Sequence, residues 1–326
     1  MEIQAIYTFL RPNLDRVEAR ITASLHSDIA LLDGINRRLR EHPGKMLRPM
    51  LALLVADACG GVTEDTLRFA AAAELLHNAT LLHDDVVDGA VERRGVPTAA
   101  KLLGGGPAVL VGDYWLVNCM QEVLDAAHEP ERVLRIFART LHHLTEGELL
   151  QMEKAGKVDT TQADYLRIIY GKTASLFEAS ALAAAISARA CEKTVAAMGQ
   201  FARLLGTAFQ IKDDILDYSE SSATLGKPVG LDLKEQKITQ PLLCALEGVS
   251  AHEAAQWRTR VAAVTEHPEQ IAALVDFVRA HNGVSKAGEV MDGYIADAVR
   301  SLDILPESPA KQYLIALAQF VGDRNV

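Results

Sequence analysis

The stretch that most constrains this chain is Leu-Arg-Phe-Ala-Ala-Ala-Ala-Glu-Leu-Leu-His-Asn-Ala-Thr-Leu-Leu-His-Asp-Asp-Val-Val-Asp, residues 67–88. No Gly or Pro interrupts residues 62–88, and Ala and Leu dominate, so the stretch predicts one long helix. On that helix Asp84 and Asp88 lie one turn apart, with Asp85 about 100° round. Like charges at this spacing repel, and the penalty grows as water is excluded. A hard divalent cation reverses the sign, because Mg²⁺ takes carboxylate oxygens and bridges to phosphates. A solvated acidic helix end is the plainer alternative for one such triad. The pattern Asp-Asp-x-x-Asp returns, however, as Asp213, Asp214 and Asp217, again closing an apolar helical run. Two triads on facing helices would grip a cluster of metal ions from both sides.

The rest of the chain bounds the fold. Its 326 residues allow about two domains, yet no Pro/Gly/Ser-rich linker or charge block divides them. The expectation is therefore one domain over 1–326, with N-terminal helices in 1–40 packing on it. Hydrophobic content of 49% with 5% aromatics points to a core of Ala, Leu, Val and Ile. No stretch alternates in the manner of a strand, so the fold class is all-α. A net charge of −10 argues against nucleic acid as partner. Cys59, Cys119, Cys191 and Cys244 are scattered, without a Cys-x-x-Cys pair, and read as reduced core residues. No signal peptide or transmembrane segment is indicated, and the most apolar window contains Asp113, so a cytoplasmic protein is expected.

Basic words stand out against the acidic background. Lys45 and Arg48 follow the His42-Pro43-Gly44 break, at the start of a helix. Cations there oppose the helix dipole, so they are placed either for solvent or for a phosphate at the free N–H groups. The adjacent Arg93 and Arg94 sit in a Gly- and Pro-bearing loop just past the first triad, where guanidinium forks suit phosphate oxygens. Gly104-Gly105-Gly106 lacks the rest of a phosphate loop and reads as a plain turn. Gly171-Lys172-Thr173 falls mid-helix and predicts a kink that frees backbone carbonyls. Residues 219–225 are small and polar, a lid leading to Lys227. Further helices are expected at 107–127, 131–153, 162–190 and 192–218, then short ones broken at Pro268, Gly283, Pro306 and Pro309.

Taken with Gly44-Lys45-Met46-Leu47-Arg48-Pro49, Arg93-Arg94-Gly95, Gly171-Lys172-Thr173, Gly226-Lys227-Pro228 and Asp232-Leu233-Lys234, the triads make a set. It resembles the trans-isoprenyl diphosphate synthase (polyprenyl synthetase) family, over roughly residues 40–300. That resemblance implies an isoprenoid-synthase-type bundle of about a dozen helices around a deep apolar cavity. It implies Mg²⁺, three ions with substrate bound, on Asp84, Asp85, Asp88, Asp213, Asp214 and Asp217. Isopentenyl diphosphate would lie on Lys45, Arg48, His77 and Arg94, and an allylic diphosphate primer on Arg93, Lys172, Lys227 and Lys237. Lys172, Thr173 and Gln210 would line the carbocation path, and Glu148 and Gln151 would give polar support to the metal site. A homodimer is expected from the family alone. Ala79 and Thr80, where short-chain members carry bulky aromatics, are small, which implies a long-chain product of the octaprenyl or solanesyl type. Phe137 is a candidate for the cavity floor. A short-chain (farnesyl or geranylgeranyl) synthase is the alternative within the family. A terpene cyclase would need no second substrate site, and a non-catalytic partner subunit would not keep both triads entire.

Overall fold

The computed structural model describes residues 3–40, 44–93, 95–218 and 229–324. They are all-α, as expected, apart from a two-residue antiparallel ladder of β1 (Glu92–Arg93) and β2 (Val96–Pro97). The helices are α1 (Ile3–Ser24), α2 (Ala30–Arg40), α3 (Leu47–Cys59), α4 (Glu64–Val87), α5 (Ala99–Leu103), α6 (Gly105–Leu124), α7 (Pro130–Lys157) and α8 (Gln162–Ile169). They continue as α9 (Ser175–Ser187), α10 (Glu192–Leu216), α11 (Leu231–Lys234), α12 (Gln240–Glu247), α13 (Ala251–Ala263), α14 (Gln270–Ala280), α15 (Gly283–Ser301) and α16 (Pro309–Asp323). A π-helical segment, Tyr170–Ala174, stands between α8 and α9. Two compact units result, one of Met1–Ala138, Ala179–Gly199 and Ile304–Leu314, the other of Arg139–Glu178, Gln200–Asp303 and Ile315–Val326.

In the first unit α4 is buried on nearly every side, and Ala70 to Ala73 expose nothing. Alanine loses no side-chain entropy on burial, so a helix of this composition suits a central position. Its start is fixed by a capping box. The Thr66 N–H donates to Thr63 Oγ1 at 3.2 Å, the Thr63 N–H donates to Thr66 Oγ1 at 3.0 Å, and Thr66 also meets the Ser187 hydroxyl at 2.6 Å. Asp65 then accepts the backbone N–H groups of Ala127 and His128, both at 2.9 Å, anchoring the turn between α6 and α7. The apolar stripe of α1 (Ile6, Leu10, Leu14, Val17, Ile21) is buried and packs on α3 and α4. Each such side chain contributes about 1.5–3 kcal/mol. α6 packs against α4, and Gly112 permits a close approach by facing the His83 ring. A Cβ there would sit 2.4 Å from His83 Nε2.

The triple glycine departs from its expected reading as a plain turn. Gly104, at φ 84°, ends α5, but Gly105 and Gly106 already belong to α6. In the second unit α12 packs on α15, where a Cβ on Gly283 would lie 2.3 Å from the Pro241 carbonyl oxygen. Among the described residues no helix is long and apolar enough to cross a membrane.

Candidate active site

Each unit carries one aspartate triad, and each triad ends a long helix. Asp84 and Asp85 fall in the last turn of α4 and Asp88 is its C-cap, while Asp213 and Asp214 fall in the last turn of α10 with Asp217 just beyond. No basic residue occupies the last turn of either helix. Carboxylates at a helix C-terminus meet the negative end of the dipole, and their mutual repulsion adds to it. Helix stability alone would not select this placement twice. Divalent cations fit the donor set, six hard oxygen-bearing side chains, and would reverse both penalties.

In the first unit Asp85 is buried and already partnered. Arg93, delivered by the short hairpin, donates from Nε at 2.8 Å and from its terminal nitrogen at 2.7 Å to one Asp85 oxygen. Asp84 is half-buried and Asp88 exposed. Lys45 immediately precedes the α3 N-cap, Met46, which is left-handed (φ 50°), and Arg48 stands in the first turn. The Tyr7 hydroxyl donates to the Lys45 carbonyl, pinning that loop to α1. Further back on α4, Ala79 is buried and His77 half-buried, with the Thr80 hydroxyl bonded to the His77 carbonyl at 2.8 Å.

In the second unit the Gly-Lys-Thr kink takes a specific form. The Ser175 N–H reaches back to the Tyr170 carbonyl, widening the helix by one residue per turn. Gly171 and α7's Gly147 touch backbone to backbone: a Cβ on Gly171 would lie 2.6 Å from the His143 oxygen and 2.9 Å from Gly147 Cα. Lys172 pairs with Glu148 at 2.8 Å, and Gln151 donates to the other Glu148 oxygen at 3.0 Å. Thr173 Oγ1 donates to Gln210 Oε1 at 2.7 Å, and Gln210 Nε2 donates onward to Asp214 at 3.0 Å. The other Asp214 oxygen accepts the buried Tyr165 hydroxyl at 2.6 Å. Burial, then the charge of Asp232, holds the Asp214 carboxyl well above the usual range.

Asp217 accepts the backbone N–H groups of Leu231 and Asp232 at 3.0 and 3.1 Å, closing the chain onto the end of α10. Asp213 pairs with Arg324 at 2.7 Å, and that guanidinium also lies 3.8 Å from the Phe209 ring centre. Lys237 pairs with Glu235. Pro43, Arg94 and residues 219–228, with the expected lid and Lys227, lie outside the described residues.

Four residues absent from the expected site now belong beside it. Tyr165 and Arg324 hold Asp214 and Asp213, and Gly147 permits the contact with Gly171. Asp232, whose carboxyl burial and then Asp217 push up to about 7, adds a further acid beside Asp217. Asp232 belonged to one of the quoted motifs without a role of its own, and Tyr165, Arg324 and Gly147 had no sequence signal, because each acts through a partner distant along the chain. His142, His143 and Glu146 on α7 form a further group, with ligand atoms within 4.8 Å of one another. Adjacent residues on a helix diverge by about 100°, which disfavours these histidines as joint ligands.

A family model for polyprenyl synthetase matches residues 29–278. The chain is 38% identical to an octaprenyl diphosphate synthase of Haemophilus influenzae, over all of this chain and 98% of that one. It is 32% identical, over the full length of both, to a Geobacillus stearothermophilus protein named heptaprenyl diphosphate synthase component 2. It superposes on the Caulobacter crescentus polyprenyl synthase, solved with calcium and isoprenyl diphosphate, with a TM-score of 0.91 and 31% identity, covering 100% of this chain and 98% of the other.

Proposed function

The chain belongs to the polyprenyl synthetase family and is a prenyltransferase of the head-to-tail elongating kind, and from that premise we propose how its residues divide the work. The two triads act together in one catalytic domain. Asp84, Asp88 and Asp213 would hold the Mg²⁺ ions, three with substrate bound, whose charge neutralises the leaving diphosphate. Asp85, Asp214 and Asp217 complete the triads, held by Arg93, by Tyr165 and Gln210, and by two backbone N–H groups, as Asp213 is held by Arg324.

Arg93, Lys172, Lys227 and Lys237 bind the allylic diphosphate, and Lys45, Arg48, His77 and Arg94 bind isopentenyl diphosphate. The allylic C–O bond breaks, the isopentenyl double bond attacks the resulting cation, and a proton leaves to the released diphosphate. Thr173 donates its proton to Gln210, so its oxygen lone pairs remain for the cationic carbon. Positioning and electrostatics carry the rate. Small residues at Ala79 and Thr80 favour a long all-trans product, with Phe137, buried in the first unit, as a candidate floor.

The observation that carries this reading is the pair of triads at helix C-termini without a compensating base. Labelled isopentenyl diphosphate, an allylic primer and Mg²⁺, followed by chromatography of dephosphorylated products, tests it. Long-chain alcohols are expected; an absence of elongation, or cyclised products, would remove it.

The working form is a homodimer in the cytoplasm. Leu110, Val117 and Leu124, 69%, 62% and 49% exposed, recur every seven residues along α6, a line that suits pairing with a second copy. The four cysteines are free thiols, in keeping with a reducing compartment. The name of the Geobacillus relative favours one other reading, a chain that acts only with an unlike partner. Turnover by the purified chain alone decides between the two.

A further inference from the structure

The first unit contains a cavity of about 440 Å³ behind the Asp85–Arg93 pair, bounded by α2, α4, the hairpin, α5 and α6. The size falls within the ~300–1,000 Å³ of small-molecule sites. Its walls are mixed, with an apolar side formed by Ile35, Leu39, Leu81, Leu102 and Trp115. Leu102 is 38% exposed, so part of this apolar wall meets water. Three arginines line the same cavity. Arg37 is held by Asp33 at 2.6 Å, Arg93 is held by Asp85, and Arg38 is exposed beside them. In a chain of net charge −10, the lining sets three guanidinium groups against one carboxylate, Asp85. The apolar side would bury a short hydrocarbon tail, and guanidinium forks at its rim suit phosphate oxygens.

We propose that this cavity is a second binding site, for an isoprenoid-type amphiphile with a phosphate head, and that its occupancy slows prenyl transfer through the Asp85–Arg93 pair. Arg93 has one guanidinium to offer. A head group that draws it toward the cavity loosens its hold on Asp85, one residue from Asp84. The binding stands independently of the catalytic reading; the slowing rests on it.

Trp115 lines the cavity, and the only other tryptophan, Trp257, is elsewhere, so Trp257→Phe protein isolates the reporter. Farnesyl phosphate titrated in EDTA, where metal-dependent diphosphate binding is removed, should shift Trp115 emission saturably. Arg38→Glu and Leu39→Asn should each weaken that binding by at least about tenfold. Farnesol and inorganic phosphate, each lacking half of the amphiphile, should bind more weakly than farnesyl phosphate. In turnover assays farnesyl phosphate should raise KM for the allylic primer as it draws Arg93 away, and Arg38→Glu should keep its basal rate while losing that inhibition. If Trp257→Phe folds poorly by circular dichroism, calorimetry on the unsubstituted protein replaces the fluorescence. No saturable binding, equal affinity in both variants, or inhibition undiminished in Arg38→Glu would overturn the proposal. Loss of elongation with binding intact would instead count against the catalytic assignment alone.

Discussion

Asp84 and Asp213 offer the plainest test of the metal assignment, because removing either takes a ligand from one triad. Asp84→Ala and Asp213→Ala should lower turnover by at least about a hundredfold. The metal-free fold of Asp84→Ala should be unharmed, whereas Asp213→Ala also breaks the pair with the buried Arg324 and should lower the melting temperature. Turnover in Mg²⁺ and thermal melts in EDTA check both halves, and near-normal rates would remove the assignment. Tyr165 tests the support behind the second triad. Tyr165→Phe leaves a buried Asp214 oxygen without its hydroxyl donor, a loss of about 1–3 kcal/mol in stability. If its role is to hold the triad, kcat should fall while KM for both substrates stays near normal; a change in stability alone would make it merely structural. For the diphosphate pockets, Lys45→Ala should raise KM for isopentenyl diphosphate, and Arg93→Ala should raise it chiefly for the allylic primer. Equal effects on both substrates would mean that the pockets are misassigned.

At the level of elements, α4 was legible because its sequence removes every local alternative, and α1 because its stripe repeats at helical spacing. The Gly-Lys-Thr segment was legible as a kink. Its π form was not, because it depends on a backbone contact with Gly147 that no local pattern announces. The Tyr165–Asp214 bond, spanning 49 residues, was hidden for the same reason. Gly171→Ala should accordingly cost about 1–3 kcal/mol by overpacking, far more than an exposed helical glycine would, and a melt would show it. Capping of α8 carries a pH signature. The Thr161 hydroxyl and backbone, then Lys154, hold the Asp164 carboxyl down at about 2. Its contribution is present above the unfolded value of about 3.9 and is lost as pH falls through about 2. The Tm gap between Asp164→Asn and the unsubstituted protein should therefore be full at pH 6 and close toward pH 2. Product length belongs to α4 as well. Ala79 is buried, so Ala79→Tyr meets packed neighbours, whereas Thr80 is only half-buried. Thr80→Phe should shorten the product with early condensations still fast; unchanged length would show that another wall sets it.

For the whole molecule, the expectation of a helical protein bearing two acidic motifs survived, because composition and the repeated triad are global features of the chain. Mg²⁺ together with a non-reactive allylic diphosphate analogue should stabilise the protein by about 2.7 kcal/mol at a hundredfold excess over Kd. Mg²⁺ alone should do much less, and equal stabilisation by both would argue against a shared metal–diphosphate site. The exposed line of Leu110, Val117 and Leu124 carries its own consequence. If a second copy covers it, the enzyme has a working concentration as well as a working temperature. Specific activity should fall on dilution into the nanomolar range, so plots of rate against enzyme concentration would curve upward. Val117→Glu should bring the same loss at concentrations where the unsubstituted enzyme is fully active. Rate constants collected at a single low enzyme concentration would then describe a mixture of protomers and pairs.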